Sequence, residues 1–363
     1  MKVLHVITSM ATGGAEALIA QIVPKMRQRG LEVDVALFDG SLTPFKQILI
    51  DAGVTIFDFA KGGSVYNPLH IFRLLRLMRR YDIVHTHNTA PQLFAALGSM
   101  VCSIVLCTTE HTTSNRRRGW KWYAAIDRWM YRKYAHIITI TPETRTNLQP
   151  YLDNYEKSSV IYNGIDIKKY SEAKALDEFK QFGRNIIKLV MTAGFRYQKD
   201  QDTIIRALKL LPARFHLFLV GDGERRETVE RLAKTLGVIE RVHFLGIRTD
   251  VNRIIASCDI YVQSSHWEGF GLAAVEAMAS GLPVLASDTD GLKQVVEGAG
   301  ILFPKGDYEA LAGELLKLDS DPNYSQQVAE RCKRRAADFD IDKMVDGYLD
   351  IYKKLIKSAS SHR

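Results

Sequence analysis

Cysteine is scarce in this chain and carries no pattern. The four residues, Cys102, Cys107, Cys258 and Cys332, form no Cys-x-x-Cys pair. Neither a zinc ribbon nor a disulfide framework is indicated, and the sequence fits a reducing cytosol. No apolar run approaches the ~20 residues that span a bilayer. The apolar stretch near the N-terminus is too short for a secretory signal and reads better as a first buried strand. Low-complexity segments are missing, as is any repeat of ~20–50 residues. What is present is 363 residues, 46% hydrophobic and 25% charged. That is the balance of a soluble globular protein with length for about two domains.

The net charge of +8 is unevenly placed. Residues 1–170 hold 21 Lys/Arg against 13 Asp/Glu, while 171–363 hold 28 of each. The whole excess lies in the first half, which implies two domains with different partners. An anionic surface, a phosphorylated substrate or nucleic acid would each fit.

Short apolar strands alternate with helical stretches. Val3–Thr8, Glu32–Phe38, Ile83–Thr86, Ile104–Thr109 and Ile137–Thr141 read as strands, with a helix running to Arg29 and stopped by Gly30. The rhythm restarts after Asn163-Gly164-Ile165-Asp166, with strands at Ile186–Ala193, His216–Val220, Arg241–Leu245, Ile260–Gln263 and Pro283–Ser287. Helices fit between them, at Asp202–Leu211 and Glu224–Leu236. Strands of this kind imply two consecutive parallel sheets, each covered on both faces, with a boundary near residue 165. A last helix, about Ile341–Lys357, follows the second sheet.

The sharpest chemical signal runs from Ser265 to Val284. Glu268 lies in the loop after a strand, glycines follow at 269 and 271, and a helix starts near Leu272. The first amides of that helix, around Phe270, Gly271 and Leu272, would suit a phosphate. Glu276, about one turn inside, could accept hydrogen bonds from a hydroxyl-rich ligand over the helix end. Taken singly, either Glu is as well explained as an ordinary helix-dipole or surface residue.

As a whole, this string resembles the Glu-x7-Glu signature of retaining, GT-B-fold glycosyltransferases of family 4, and the resemblance spans nearly the whole chain. Gly13–Glu16 matches the family's first glycine-rich turn and Asn163-Gly164-Ile165-Asp166 its domain junction. Leu219-Val220-Gly221-Asp222-Gly223 matches its mid-domain turn, and Val242-His243-Phe244-Leu245-Gly246 its base-side strand. The resemblance implies two Rossmann-like doubly wound parallel-sheet domains facing across a cleft. Residues 1–165 would bind the acceptor and 166–340 the nucleotide-sugar, with 341–363 crossing back to the first domain.

The same resemblance implies roles for single residues. Glu276 would hold the ribose hydroxyls and Glu268 those of the donor sugar. Phe270, Gly271 and Leu272 would offer amides to the diphosphate, and Gly14, Gly221 and Phe244 would also line the donor. Lys199 sits where the family places a diphosphate-neutralising lysine, a cation that would stabilise the leaving group. The family's arginine is displaced here to Arg196, in Ala193-Gly194-Phe195-Arg196, and is expected to reach the same phosphates from a different turn. His111, at a strand end, would orient donor sugar or acceptor in a front-face reaction that the diphosphate itself assists.

Two metal-like signals are discounted. His85-Thr86-His87 alternates along a strand and is read as pointing its two rings to opposite faces, unable to share an ion; His87 alone would line the cleft or pack. Asp288-Thr289-Asp290 is read as turn chemistry completed by Gly291, so no metal or other cofactor is expected. The basic excess gathers at Leu69–Arg80, where Arg73, Arg76 and Arg80 oppose Ile71, Leu74, Leu75 and Met78, and at Asn115–Lys133. In the latter, Arg116, Arg117, Arg118, Lys121, Arg128, Arg132 and Lys133 interleave with Trp120, Trp122, Tyr123 and Trp129. Cations beside aromatics suit an anionic membrane surface, nucleic acid, or simply a solvated helix.

The reading that follows is a cytoplasmic, metal-independent hexosyltransferase. It would use a nucleoside-diphosphate sugar, uridine-linked, and a glycan or lipid-linked acceptor of surface polysaccharide, with peripheral contact at the inner face of the membrane. Its rivals are a sugar-nucleotide epimerase of the same fold and a basic nucleic-acid-binding protein. The Glu268–Glu276 spacing argues against the first; no recognised nucleic-acid module supports the second.

Overall fold

The structure, a computed structural model, describes residues 1–11, 13–111, 121–183 and 185–361. It comprises two compact units, Met1–Asn163 with Ile341–Arg363, and Gly164–Asp340. Among the described residues the first unit is built on β1 (Lys2–Ser9), β2 (Glu32–Asp39), β3 (Ile56–Asp58), β4 (Ile83–His87), β5 (Val105–Glu110), β6 (His136–Thr139) and β7 (Ser158–Val160). These pair in the order β3-β2-β1-β4-β5-β6-β7, all parallel. Strand β1 shows why apolar residues occupy both faces of these strands. Val3 and Ile7 enter one core cluster and Leu4 and Val6 the other, all with no exposed surface. Both faces of the sheet are covered.

The second unit contains β8 (Ile187–Thr192), β9 (Phe215–Val220), β10 (Val242–Gly246), β11 (Ile260–Gln263), β12 (Val284–Ser287) and β13 (Ile301–Phe303). They pair as β10-β9-β8-β11-β12-β13, again parallel. Both sheets reverse direction beside their first strand, between β1 and β4 and between β8 and β11. In sheets wound this way ligands bind beyond the carboxyl ends of the strands at that reversal.

The last helix, Ile341–Ser361, belongs to the first unit. Its Ile341, Met344, Val345, Tyr348, Leu349 and Tyr352 recur at helical spacing and pack into the cluster that holds Val3 and Ile7. At about 1.5–3 kcal/mol for each large side chain removed from water, six such residues anchor the helix firmly.

Candidate functional site

In the second unit, two loops leave the sheet at the reversal point. One follows β8 and carries Arg196 and Lys199; the other follows β11 and carries Glu268. They are tied together by the backbone: the His266 amide donates to the Gln198 carbonyl at 2.8 Å, and Gln198 Nε2 donates to the Trp267 carbonyl at 2.9 Å. Lys199 Nζ forms an ion pair with Glu268 Oε1. The same oxygen accepts from Ser265 Oγ at 3.2 Å and Gln263 Nε2 at 3.4 Å. Glu268 is thereby fixed with its side chain only 10% exposed. Arg196 is exposed and has no carboxylate partner among the described residues.

Glu268 is brought close by an absence of side chain elsewhere. A Cβ on Gly291 would sit 2.4 Å from the Glu268 carbonyl oxygen and 2.9 Å from the Gly269 carbonyl carbon. Gly291 is the second residue of the helix Asp290–Val296. The turn expected at Asp288-Thr289-Asp290-Gly291 is therefore a helix start, and Gly291 serves the approach of the Glu268 loop. Gly271 caps the helix Leu272–Ala279, whose first amides have no acceptor within the helix. The side chain of Phe270 is buried, against the Phe339 ring at 5.4 Å between centroids.

Glu276, five residues into this helix, is half-buried and accepts a hydrogen bond from the Tyr170 hydroxyl. Burial raises its pKa, and the Tyr170 bond partly opposes that shift. Gly221, at φ +130°, lets the turn after β9 lie against the Ala193 carbonyl oxygen, which a Cβ would approach to 2.2 Å. Phe244 stands half-buried under the Arg226 guanidinium, 4.5 Å from its ring centroid. Lys199, Glu268, Gly271, Leu272, Glu276, Gly221 and Phe244 thus all belong to the second unit.

Gly14 and His111 belong to the first. Gly14 opens the helix Gly14–Gln28 just after β1, and His111 directly follows β5. His111 Nε2 lies 2.9 Å from His87 Nδ1. One expectation is overturned here. His85 and His87 do not face opposite sides of the sheet: their rings stack with centroids 4.6 Å apart, because residues two apart in a strand share a face. His5 joins them from β1, in register with His85. Among the described residues these three are the one group close enough to hold an ion, their donor atoms lying within 4.8 Å of one another. The period-two spacing of His85 and His87 was the signal for this cluster. Nothing comparable pointed to Tyr170 on Glu276.

The basic helix expected over Leu69–Arg80 runs from Leu69 to Met78, with Leu74 and Met78 buried and Arg73 and Arg76 exposed, and Arg80 lies past its end. Arg116, Arg117, Arg118 and Trp120 lie outside the described residues, as do the side chains of Lys121 and Trp122.

Comparison with known proteins agrees with this layout. Residues 175–336 match the family described as Glycosyl transferases group 1, and residues 12–169 match Glycosyltransferase Family 4. The chain is 26% identical over 305 residues to the UDP-Gal:alpha-D-GlcNAc-diphosphoundecaprenol alpha-1,3-galactosyltransferase of Escherichia coli, covering 78% of each. It is 25% identical over 346 residues to the phosphatidyl-myo-inositol mannosyltransferase of Mycolicibacterium smegmatis, covering 90% of this chain and 86% of that one. Among solved structures, Anabaena Alr3699/HepE in complex with UDP shares the fold with a TM-score of 0.85 at 24% identity, over 98% of this chain and 100% of that one. With the two family models falling one on each unit, the protein is a glycosyltransferase of the group 1 type that resembles family 4 and has the GT-B fold.

Proposed function

We propose that the protein transfers a hexosyl group from a nucleoside-diphosphate sugar, uridine-linked, to a glycan or lipid-linked acceptor of surface polysaccharide, retaining anomeric configuration and requiring no metal ion. The observation that carries this reading is the Lys199–Glu268 pair beyond the sheet reversal, beside the amino end of the helix that bears Glu276. Lys199 offers a cation that a diphosphate can share, and the helix end adds amides and a favourable dipole. Arg196 supplies a second, unpaired charge. Glu268, held by Lys199, Ser265 and Gln263, is better suited to grip sugar hydroxyls than to attack a carbon. Glu276 would take the ribose, and His111 would orient the transferred sugar.

Two relatives favour uridine as the donor base. The Escherichia coli protein is named for UDP-galactose, and the HepE structure holds UDP. The acceptor class follows the same relative, named for a diphosphoundecaprenol substrate. A contact with the inner face of the membrane is supported by the exposed Arg73 and Arg76, flanked by Leu69 and Phe72, which are 58% and 67% exposed.

A thermal-shift panel of nucleoside diphosphates tests the donor, since a ligand bound only by the folded state raises Tm. UDP should raise Tm more than GDP or ADP. Donor-dependent release of UDP should then survive a chelator. Loss of release on chelation, restored by manganese, would overturn the metal-independent reading, and no shift with any nucleotide would overturn the donor site.

A further inference from the structure

The first unit contains a line of polar side chains buried in its apolar core. His111 Nε2 meets His87 Nδ1 at 2.9 Å, and His87 Nε2 meets His5 Nδ1 at 3.0 Å. His5 Nε2 is 3.3 Å from the Tyr352 hydroxyl, which also contacts His85 Nδ1. His85 Nε2 reaches Thr109 Oγ1 at 2.8 Å, and Thr109 Oγ1 reaches the Tyr348 hydroxyl at 3.1 Å. His5, His85 and His87 have no exposed surface. Two tyrosines of the terminal helix therefore connect, through strands β1 and β4, to a histidine at the end of β5.

Proton counting restricts this line. A neutral imidazole has one N–H and one bare nitrogen. Both nitrogens of His5, His85 and His87 lie within the line, so each ring must donate on one side and accept on the other. The polarity of one ring then dictates that of the next. Two polarities run unbroken through Tyr352, since donation to its oxygen by both His5 and His85 would leave its own hydrogen unpaired, and they differ at the inner end. If the protons point inward, Thr109 accepts from His85, and one hydroxyl hydrogen of Thr109 or Tyr348 has no acceptor within the line. If they point outward, Tyr348 donates to Thr109, Thr109 to His85 Nε2, His85 Nδ1–H to Tyr352, and Tyr352 to His5 Nε2. His5 Nδ1–H then donates to His87, and His87 Nδ1–H to His111 Nε2. Every internal donor has an acceptor, and a dry core strongly favours that arrangement. Burial also keeps the rings neutral, as the count requires.

We propose that Tyr352, His5 and His87 are positioning residues that hold His111 in the single tautomer with its proton on Nδ1, so that the terminal helix decides which hydrogen bond His111 can offer. His111 would then act as a fixed donor toward a sugar oxygen and not as a proton acceptor at that nitrogen. This deepens the proposed function, because it rests on His111 facing the transferred sugar. An ion held by His5, His85 and His87 is the competing use of the cluster. An ion there would have to displace the hydrogen bond that joins His5 Nδ1 to His87 Nε2 at 3.0 Å.

The test is nitrogen NMR of the full chain with 15N-labelled histidine at neutral pH. All four rings, His5, His85, His87 and His111, should carry their proton on Nδ1. Thr109→Val removes the donor at the inner end with little change of volume, and Tyr352→Phe cuts the line in its middle. Either should move His111 toward the Nε2 tautomer, and Thr109→Ser should restore the wild-type spectrum. Under the same changes kcat should fall at least about 10-fold with little change in donor KM, since a misplaced proton on a catalytic histidine can remove far more. A wild-type His111 protonated on Nε2, or a His111 spectrum indifferent to Thr109→Val in a folded variant, would overturn the proposal. So would stoichiometric zinc binding that raises Tm and is lost in His5→Gln. If the wild type transfers no sugar, the glycosyltransferase roles fail while the tautomer is still read from the spectrum.

Discussion

At the scale of single residues, Glu276 shows how a helix position becomes a ligand group. Its place one turn into the helix was readable from the spacing after Gly271. The phenol that holds it was not, because Tyr170 lies in a short helix, Ile167–Ser171, over a hundred residues earlier. Removing the carboxylate takes away a charge-assisted acceptor, worth about 1.5–3 kcal/mol, or roughly 10- to 100-fold in affinity. Glu276→Ala should weaken UDP binding by that factor in calorimetry, with Tm nearly unchanged. Tyr170→Phe leaves the carboxylate but removes its hydroxyl partner, so its effect on affinity should be smaller and of the same sign. Unchanged UDP affinity in Glu276→Ala would take this residue out of the site.

At the scale of elements, strands of four or more residues were legible, and three-residue strands were not. β3, β7 and β13 each add only three residues to a sheet edge, too few for a periodicity to register. The same distinction holds in the site. The loop-glycine-helix pattern after β11 announced itself locally. The constraint from Gly291 depends on a close approach between segments twenty residues apart, which spacing does not encode. That constraint makes a prediction contrary to helix propensity. Ala is normally the better helix residue, yet a Cβ at 291 would stand 2.4 Å from the Glu268 carbonyl. Gly291→Ala must push back the loop carrying Glu268, an overpacking cost of about 1–3 kcal/mol. Tm should fall and donor turnover should fall with it; full activity at unchanged Tm would show that the loop has room.

At the scale of the molecule, two global properties follow from where charge and histidine are placed. The positive excess lies in residues 1–170, and each Lys or Arg near an anionic leaflet contributes about 1 kcal/mol. The protein should co-sediment with phosphatidylglycerol vesicles at low salt and release near 1 M, where the Debye length is about 3 Å. Arg73→Glu with Arg76→Glu should reduce that binding without altering UDP affinity, and indifference of the wild type to such vesicles would leave the basic face merely solvated. The second property is acid lability. Burial lowers the pKa of His5 to about 3 and of His111 to about 4, and holds His85 and His87 well below 6.5, each also disfavoured by its histidine neighbours. His136 is lowered to about 4 by burial with Arg145 and Lys354 nearby. In the unfolded chain these rings bind protons near pH 6.5. The unfolded state therefore holds more protons than the folded one between roughly pH 6.5 and 4. Stability is complete above that range and is lost as pH falls through it, by about 1.4 kcal/mol per pH unit for each ring. Against a total of about 5–15 kcal/mol, several such rings should unfold the first unit at mildly acidic pH. Urea titrations from pH 8 to 5 should show a midpoint that is flat above pH 7 and falls steeply below 6.5, and His5→Gln should make the fall shallower by about one proton. A midpoint independent of pH over that range would mean that the histidines are charged in the folded core, which the hydrogen-bonded line from Tyr348 to His111 does not permit.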